Sequence, residues 1–434
     1  MASKIFTGDM PELMENIFNN LNNEIYSLHS CALKVREWIN LKLVEPILYS
    51  DASINIVINL LFKLFIESGA TLNKLFVNNF FECFKFNSEI FCSLEQNEQF
   101  LSRLQHLYLI DVLFCSESAI TFLKTLAKYA TKISTLGFDQ FEYYGCDDEL
   151  HLIHAFINLI KSQEQLKLFS LTCAEYITGF YGIISALESQ KNTLQEVILS
   201  NCCFTEDDVL KNCKNLETLR ISFCDYDIPL GILNHKINTL EIVNYPLNAN
   251  KIELILKKYS LLLQRLKLDA IGILEEESLV IKALNSFCPN ITYLNITMIR
   301  FSTQLLALID NLRKLQFLSL CCFVEDISEE ELKIRVMQFA EILPLILQYL
   351  DLSNNPWLEP YIDILLNHCN APLKKLLIGH FNNEKNVKAL IKFCKRNKTL
   401  NYLCVKDFNL DDDIRNEVRT YVKLVQYEHI VINC

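Results

Sequence analysis

One spacing of apolar and polar letters runs through most of this chain: an aliphatic residue, two others, an aliphatic, one other, an aliphatic. Leu347, Leu350 and Leu352 in LQYLDLSNN show it most plainly. The same frame starts at Leu104, Ile133, Leu166, Leu194, Leu216, Ile237, Leu263, Ile291, Leu315, Leu373 and Leu400, making twelve copies, 21 to 33 residues apart and about 27 on average. Its inner part alternates with period two, so each copy predicts a short strand whose aliphatic side chains share one face. Leu350 and Leu352 are expected to point inward, Asp351 and Ser353 to solvent. Between copies the period changes to that of a helix. Ile120, Leu123, Leu126 and Ala127 fall on one face of 119–130, and 154–160 and 362–369 behave alike.

A single strand–helix unit cannot bury its apolar face alone, but a stack of them can, which is the logic of a solenoid. The expected fold class is therefore α/β, a leucine-rich repeat solenoid over 101–434 with a C-terminal cap. Its parallel strands would line the concave side of a horseshoe and its helices the convex side. Asn355 stands just past its strand, where an amide can turn the chain and satisfy backbone groups from inside. Cys202 in LSNCC and Cys224 in ISFC hold the same place, and Cys213, Cys288, Cys369 and Cys394 recur near helix ends. Thiols at repeat-related places suit core packing rather than disulfides or metal. Residues 50–100 read as a junction or degenerate first repeats, with LNKLFV at 72–77 carrying the frame faintly.

Residues 8–49 differ. In GDMPELMENIFNNL, Asp9 can cap a helix and Glu12 stands three residues later, the pair that forms a reciprocal capping box. Pro11 falls in the first turn, where its missing N–H costs nothing. Met10, Leu13, Met14, Ile17, Phe18 and Leu21 form one stripe, and Asn19, Asn20, Asn22 and Asn23 end it. Such a stripe suits two roles: closing the open end of the solenoid, or docking a partner.

Composition narrows the function classes. The chain has 434 residues, 51% of them hydrophobic, enough for a large core. The net charge of −11 comes with no concentrated basic face, which argues against nucleic acid. The run Lys392–Lys398 reads as a solvated helix end. No stretch approaches the roughly 18 apolar residues of a membrane span. The 17 cysteines are an odd number, and Asp9, Glu12 and Glu15 interrupt the window a secretory signal would need. Reduced thiols in a cytoplasmic or nuclear setting are the expectation.

Catalytic signatures are thin. Cys146, Asp147, Asp148, His151 and His154 sit close in sequence, but no second cysteine closes a zinc set. The pairs Cys202–Cys203 and Cys321–Cys322 have no nearby histidine to activate a thiol. The acidic triplets at 275–277, 329–331 and 411–413 read as solvated helix starts. No phosphate loop or dinucleotide fingerprint occurs. The expectation is no enzyme, no metal and no cofactor. The site is instead the concave face, whose letters lie between the buried aliphatics: Tyr108, Arg220, Lys267, Tyr293, Tyr349, Asp351, Lys375 and Tyr402. Leu377 and Cys404 fall in the same positions. Tyrosines rank first there as large amphipathic contacts.

The repeats resemble the cysteine-containing class of leucine-rich repeats. Residues 8–49 resemble an F-box, the helical module that binds the Skp1 linker of cullin-RING ubiquitin ligases. Met10, Pro11, Glu12, Leu13, Ile17, Phe18 and Leu21 match its opening. Leu28, Cys31, Leu33, Arg36 and Trp38 in LHSCALKVREW align with its second half, with Lys34 where the family has a valine. The whole resembles the F-box and leucine-rich repeat proteins expanded in fungi. The resemblance implies a substrate-recognition adaptor of a Skp1-cullin-F-box ubiquitin ligase, monomeric apart from that complex. Met10, Pro11, Leu13, Met14, Ile17, Leu28 and Trp38 would meet a Skp1-like linker, and through it a cullin. The solenoid would hold a target protein. The alternative is a non-catalytic leucine-rich repeat scaffold whose F-box has decayed.

Overall fold

A computed structural model describes residues 59–60, 62–69, 71–78, 88–110, 117–141, 149–177, 181–202, 209–224, 236–245, 248–270, 272, 276–379, 384–406 and 412–432. The described residues fall into two compact units, one up to Leu216 together with Cys224, the other Glu217–Phe223 together with the chain from Lys236 onward. The first unit holds strands β1 (Lys74–Asn78), β2 (His106–Ile110), β3 (Thr135–Phe141), β4 (Leu168–Ile177) and β5 (Glu196–Cys202). The second holds β6 (Thr218–Ser222), β7 (Thr239–Tyr245), β8 (Arg265–Ala270), β9 (Tyr293–Arg300) and β10 (Phe317–Phe323). After these come β11 (Tyr349–Asp351), β12 (Lys375–Ile378), β13 (Tyr402–Val405) and β14 (Lys423–Leu424).

The twelve sequence frames are β2 to β13, and LNKLFV is β1. Within each unit every strand lies parallel to its neighbour in sequence, and the frames stay in register. Leu75 pairs with Leu107, Leu107 with Leu136, and Leu136 with Phe169. Leu219 begins a second series that runs through Leu240, Leu266 and Leu294. It continues through Leu318, Leu350, Leu376 and Leu403. All three aliphatic positions in all twelve copies are buried. Holding register is what puts each apolar face inward, since a slip of one residue would reverse it.

The first residues of most strands repeat one hydrogen-bond device. A single carbonyl in one repeat accepts from two consecutive N–H groups in the next. The Gln348 carbonyl takes Lys374 N–H at 2.7 Å and Lys375 N–H at 3.0 Å, and the Asn73, Gln105, Gln264 and Lys374 carbonyls do the same. Such sharing satisfies strand-entry donors that would otherwise be orphaned.

Helices carry the other half of the core. Phe138 of β3 meets Phe156 of the helix Glu149–Lys161 edge-on at 4.6 Å between ring centroids. Phe301 meets Phe339 of the helix Glu329–Ile342 at 5.7 Å. That helix starts as the acidic triplet suggested: Glu329, Glu330 and Glu331 fill the first turn, and Ser328 Oγ accepts from Glu331 N–H. Asn248 and Ser302 cap the helices Ala249–Tyr259 and Thr303–Asn311 in the same way. No helix among the described residues is long and apolar enough to cross a membrane.

The inner corner after the strands follows the sequence expectation. Asn355 is buried; its amide donates to Leu320 O at 2.7 Å and Leu352 O at 3.1 Å, and its Oδ1 accepts from Cys322 N–H at 2.7 Å. Cys202 fills the corresponding corner in the first unit, with its Sγ 3.7 Å from that of Cys173 and 3.6 Å from Leu171 O. Cys213, Cys224, Cys288, Cys369 and Cys394 are buried too. Burial pushes the thiols of Cys213 and Cys369 up to about 11 and those of Cys288 and Cys394 up to about 12. Asn201, Phe223 and Met298 adopt left-handed backbone one residue before Cys202, Cys224 and Ile299. This kink lets two successive inward residues clear the strand end.

Candidate functional site

The letters between the inward aliphatics form the open face of the strands. Because pairing is in register, they line up as rows across the strands. In the second unit one row runs Arg265, Tyr293, Phe317, Tyr349, Lys375, Tyr402. It sets three consecutive rings between two cations and ends on a fourth ring. The Arg265 guanidinium lies 4.7 Å from the Tyr293 centroid. Tyr293, Phe317 and Tyr349 stack at 6.3 and 6.1 Å. Lys375 and Lys423 each approach the Tyr402 ring at 5.8 Å, from opposite sides in the row. Arg265, Phe317 and Lys423 were not singled out from the sequence. Arg265 and Phe317 occupy the same frame position as the tyrosines, so their signal was present; Lys423 lies outside the frames and is placed in the row only by its pairing with Tyr402.

The neighbouring row begins with charges. Glu241 accepts from Lys267 at 2.7 Å and lies 3.2 Å from the Arg220 guanidinium, so one carboxylate serves two of the predicted face residues. All three side chains are only partly exposed, which strengthens the pairing relative to a fully solvated one.

In the first unit Tyr108 is half-buried, and burial pushes its phenol up. Its ring lies over Gly137 of the next strand and 5.9 Å from Phe76, with Lys74 5.7 Å above it. A side chain at 137 would occupy that place. His106 Nδ1 is 3.1 Å from Thr135 Oγ1, and burial with Lys74 nearby pushes its imidazole down.

Three predicted face residues are not on an exposed surface. Tyr293 is 2% exposed, Tyr349 1% and Asp351 4%; Ser353, Leu377 and Cys404, also expected to face outward, are buried as well. For Tyr293, Tyr349, Leu377 and Cys404 the cause is a segment far along the chain. After β14 the residues 425–432 turn back over β13, β12, β11, β10 and β9. Ile430 is buried against Tyr349, Leu377 and Cys404, while Val425, Tyr427 and Ile432 pack around it together with Phe317. Tyr293 Oη donates to Ile432 O at 3.0 Å. Beneath this cover Asp351 accepts from Ser353 N–H at 3.0 Å and Ser353 Oγ at 2.7 Å, with Tyr349 Oη and Ser319 Oγ each 3.5 Å away. Burial raises its carboxyl, and those hydrogen bonds pull the other way. Tyr402, at 36%, remains the exposed tyrosine of the row, with Arg220, Lys267 and Lys375 partly exposed.

The remaining nominations divide. Met10, Pro11, Leu13, Met14, Ile17, Leu28 and Trp38 lie outside the described residues, as do Cys146, Asp147, Asp148 and Cys203. His151 and His154 are both exposed on the helix Glu149–Lys161. Cys322 is buried and Cys321 is half-exposed, so one member of that pair points inward.

In-register parallel strands, intervening helices and an inward asparagine or cysteine at the turn define a leucine-rich repeat protein. No family model and no curated protein matches the sequence. Among solved structures the chain is similar to a leucine-rich repeat protein of Leptospira interrogans. That pair shares 14% identity over 83% of this chain and 97% of the other, with a TM-score of 0.40. It is also similar to the functional domain of InlJ from Listeria monocytogenes, which includes a cysteine ladder. There the identity is 12% over 77% of this chain and 58% of the other, with a TM-score of 0.36. The class rests on the chain's own repeats.

Proposed function

We propose that this chain is the substrate-recognition adaptor of a Skp1-cullin-F-box ubiquitin ligase. Residues 8–49 dock a Skp1-like linker, and the open strand face holds a segment of a target protein. One observation supports the protein-binding part: the exposed Tyr402 ring between Lys375 and Lys423, and the partly exposed Arg220, Lys267, Arg265 and Phe317, stand on one strand face held rigid by strand pairing. Such a surface offers large amphipathic contacts at low entropic cost, the composition of protein interfaces rather than of a catalytic cleft. The Skp1 part is supported by the resemblance of 8–49 to an F-box. The mechanism is proximity. The adaptor brings a target lysine beside a ubiquitin-loaded partner enzyme and itself makes or breaks no covalent bond.

Co-expression of the full chain with Skp1 tests this. The expected result is a one-to-one complex that Pro11→Glu abolishes while the thermal unfolding of the solenoid is unchanged. A folded wild-type chain that recovers no Skp1 refutes the adaptor role. Lys34, polar where the family has a buried valine, favours the second reading, a non-catalytic scaffold with a decayed F-box. That reading predicts no Skp1 capture by either chain.

A further inference from the structure

The segment 425–432 lies where a leucine-rich repeat would receive a partner, and it lies there as a peptide does. Its polar residues Gln426, Glu428 and His429 are exposed, while Val425, Tyr427, Ile430 and Ile432 turn toward the strands. It crosses five strands, from Cys404 on β13 to Tyr293 on β9. Its own backbone is held mainly by a local turn, in which Ile430 N–H and Val431 N–H both donate to Tyr427 O at 3.1 Å. Its hydrogen bonds to the sheet lie at its two ends: Val425 N–H to Leu403 O at 3.0 Å at one, and Tyr293 Oη to Ile432 O together with the Ile432 backbone to the Tyr349 phenol at the other. Ile430 is its one fully buried side chain.

The surface beneath is unlike a repeat core. The three inward aliphatic positions of β9 to β13 are complete without the segment and pack on the helices. What the segment covers is the outward set: Tyr293, Tyr349, Asp351, Leu377 and Cys404. A carboxylate, two phenols and a thiol are groups that water would accept readily. Asp351 is the telling member, because it is buried without an ion pair to any cation in the described structure.

We propose that 425–432 is a displaceable resident of the open face of β9–β13, and that this groove receives an extended partner segment bearing branched aliphatic and aromatic side chains at the same spacing. The segment is then a built-in competitor that sets the threshold for binding. This rests on the protein-binding reading above and specifies where on the face the partner lies. While the resident is closed, the groove's apparent affinity for a partner falls by the fraction of time it is open.

A labelled peptide with the sequence of residues 423–432, KLVQYEHIVI, is the probe, read by fluorescence anisotropy against the full chain. Ile430→Asp in the full chain releases the resident, and that variant is expected to bind the wild-type peptide at least about tenfold more tightly than the wild-type chain does. The peptide carrying the same Ile430→Asp change is expected not to bind. Tyr293→Phe keeps the ring and removes the hydrogen bond to Ile432 O, so it is expected to give a smaller gain with the fold retained. In the wild-type chain, amides of Ile430 and Val431 are expected to exchange far faster than Lys375 N–H. Equal peptide binding by the wild type and both variants overturns the proposal. So does a folded Ile430→Asp chain that binds no peptide, or exchange at 430–431 as slow as at 375. A wild-type dimer that Ile430→Asp dissociates would put another copy's segment in the groove and overturn it too. Skp1 capture depends on residues 8–49 and is measured separately, so failure of the adaptor role and failure of this groove leave different records.

Discussion

Asn355→Ala is the most exacting test of the repeat architecture. In the native corner Asn355 serves three backbone groups, two carbonyls and the Cys322 N–H, at 2.7 to 3.1 Å. Alanine removes the partner of Cys322 N–H and of Leu320 O in a place that is buried. Each orphaned buried group costs about 1–3 kcal/mol, so the two together amount to about 2–6 kcal/mol. A water admitted into the vacated space would hold the loss toward the lower end. In a stack of repeats the damage is local to the interface it touches, here β10 on β11. The assay is therefore hydrogen exchange resolved by segment, together with the midpoint of urea unfolding. Amides of β10 and β11 are expected to lose protection first, with Gln348 N–H and Tyr349 N–H among them, and β7–β8 to change little. A loss under about 0.5 kcal/mol, the size of an ordinary surface change, would refute the role assigned to this side chain.

Three further outcomes follow from the site. Gly137→Ala would bring a Cβ within 2.6 Å of the Tyr108 ring; the half-exposed ring should swing aside at a cost of about 0.5–1.5 kcal/mol, seen as a changed near-ultraviolet tyrosine signal with the fold retained. Glu241→Ala removes the carboxylate shared by Arg220 and Lys267; it should cost about 2 kcal/mol in urea unfolding at low salt and less in 1 M salt, while equal loss at both would contradict an electrostatic role. Asp351 has a carboxyl raised by burial, so the closed arrangement binds its proton more tightly than the open one does. Its contribution to closure is therefore fully present below the ordinary carboxyl range and lost as pH rises through the raised value. The neighbouring Tyr349, Tyr427 and Cys404 are all shifted upward and stay protonated across that window, and the exposed Glu428 keeps its solvent contact. Protection at Ile430 should fall across it, and Asp351→Asn should flatten the dependence.

Much of the fold was legible because its cause is local. Leu350 and Leu352 point inward for the reason any alternating strand sorts its side chains, and the frame states that alternation twelve times. Asn355, Cys202 and Cys224 could be placed from their distance to the frame alone. β14 escaped notice because its two residues carry too little of the frame. The strand face was legible as to which residues lie on it: Tyr108, Arg220, Lys267, Lys375 and Tyr402 stand there, together with the three that proved to be buried.

What the sequence determined by itself is thus the periodic part: which side chains face the core, where the chain turns, and which rows the outward residues join. Tertiary structure alone decided which outward residues meet water. Tyr293 and Ile432 are 139 residues apart and share a hydrogen bond. Periodicity describes a residue by its neighbours in the chain, whereas burial is set by whatever the folded chain brings overhead. The apolar residues of 425–432 cover the outward rings of β9–β11, and neither stretch carries a local sign of the other.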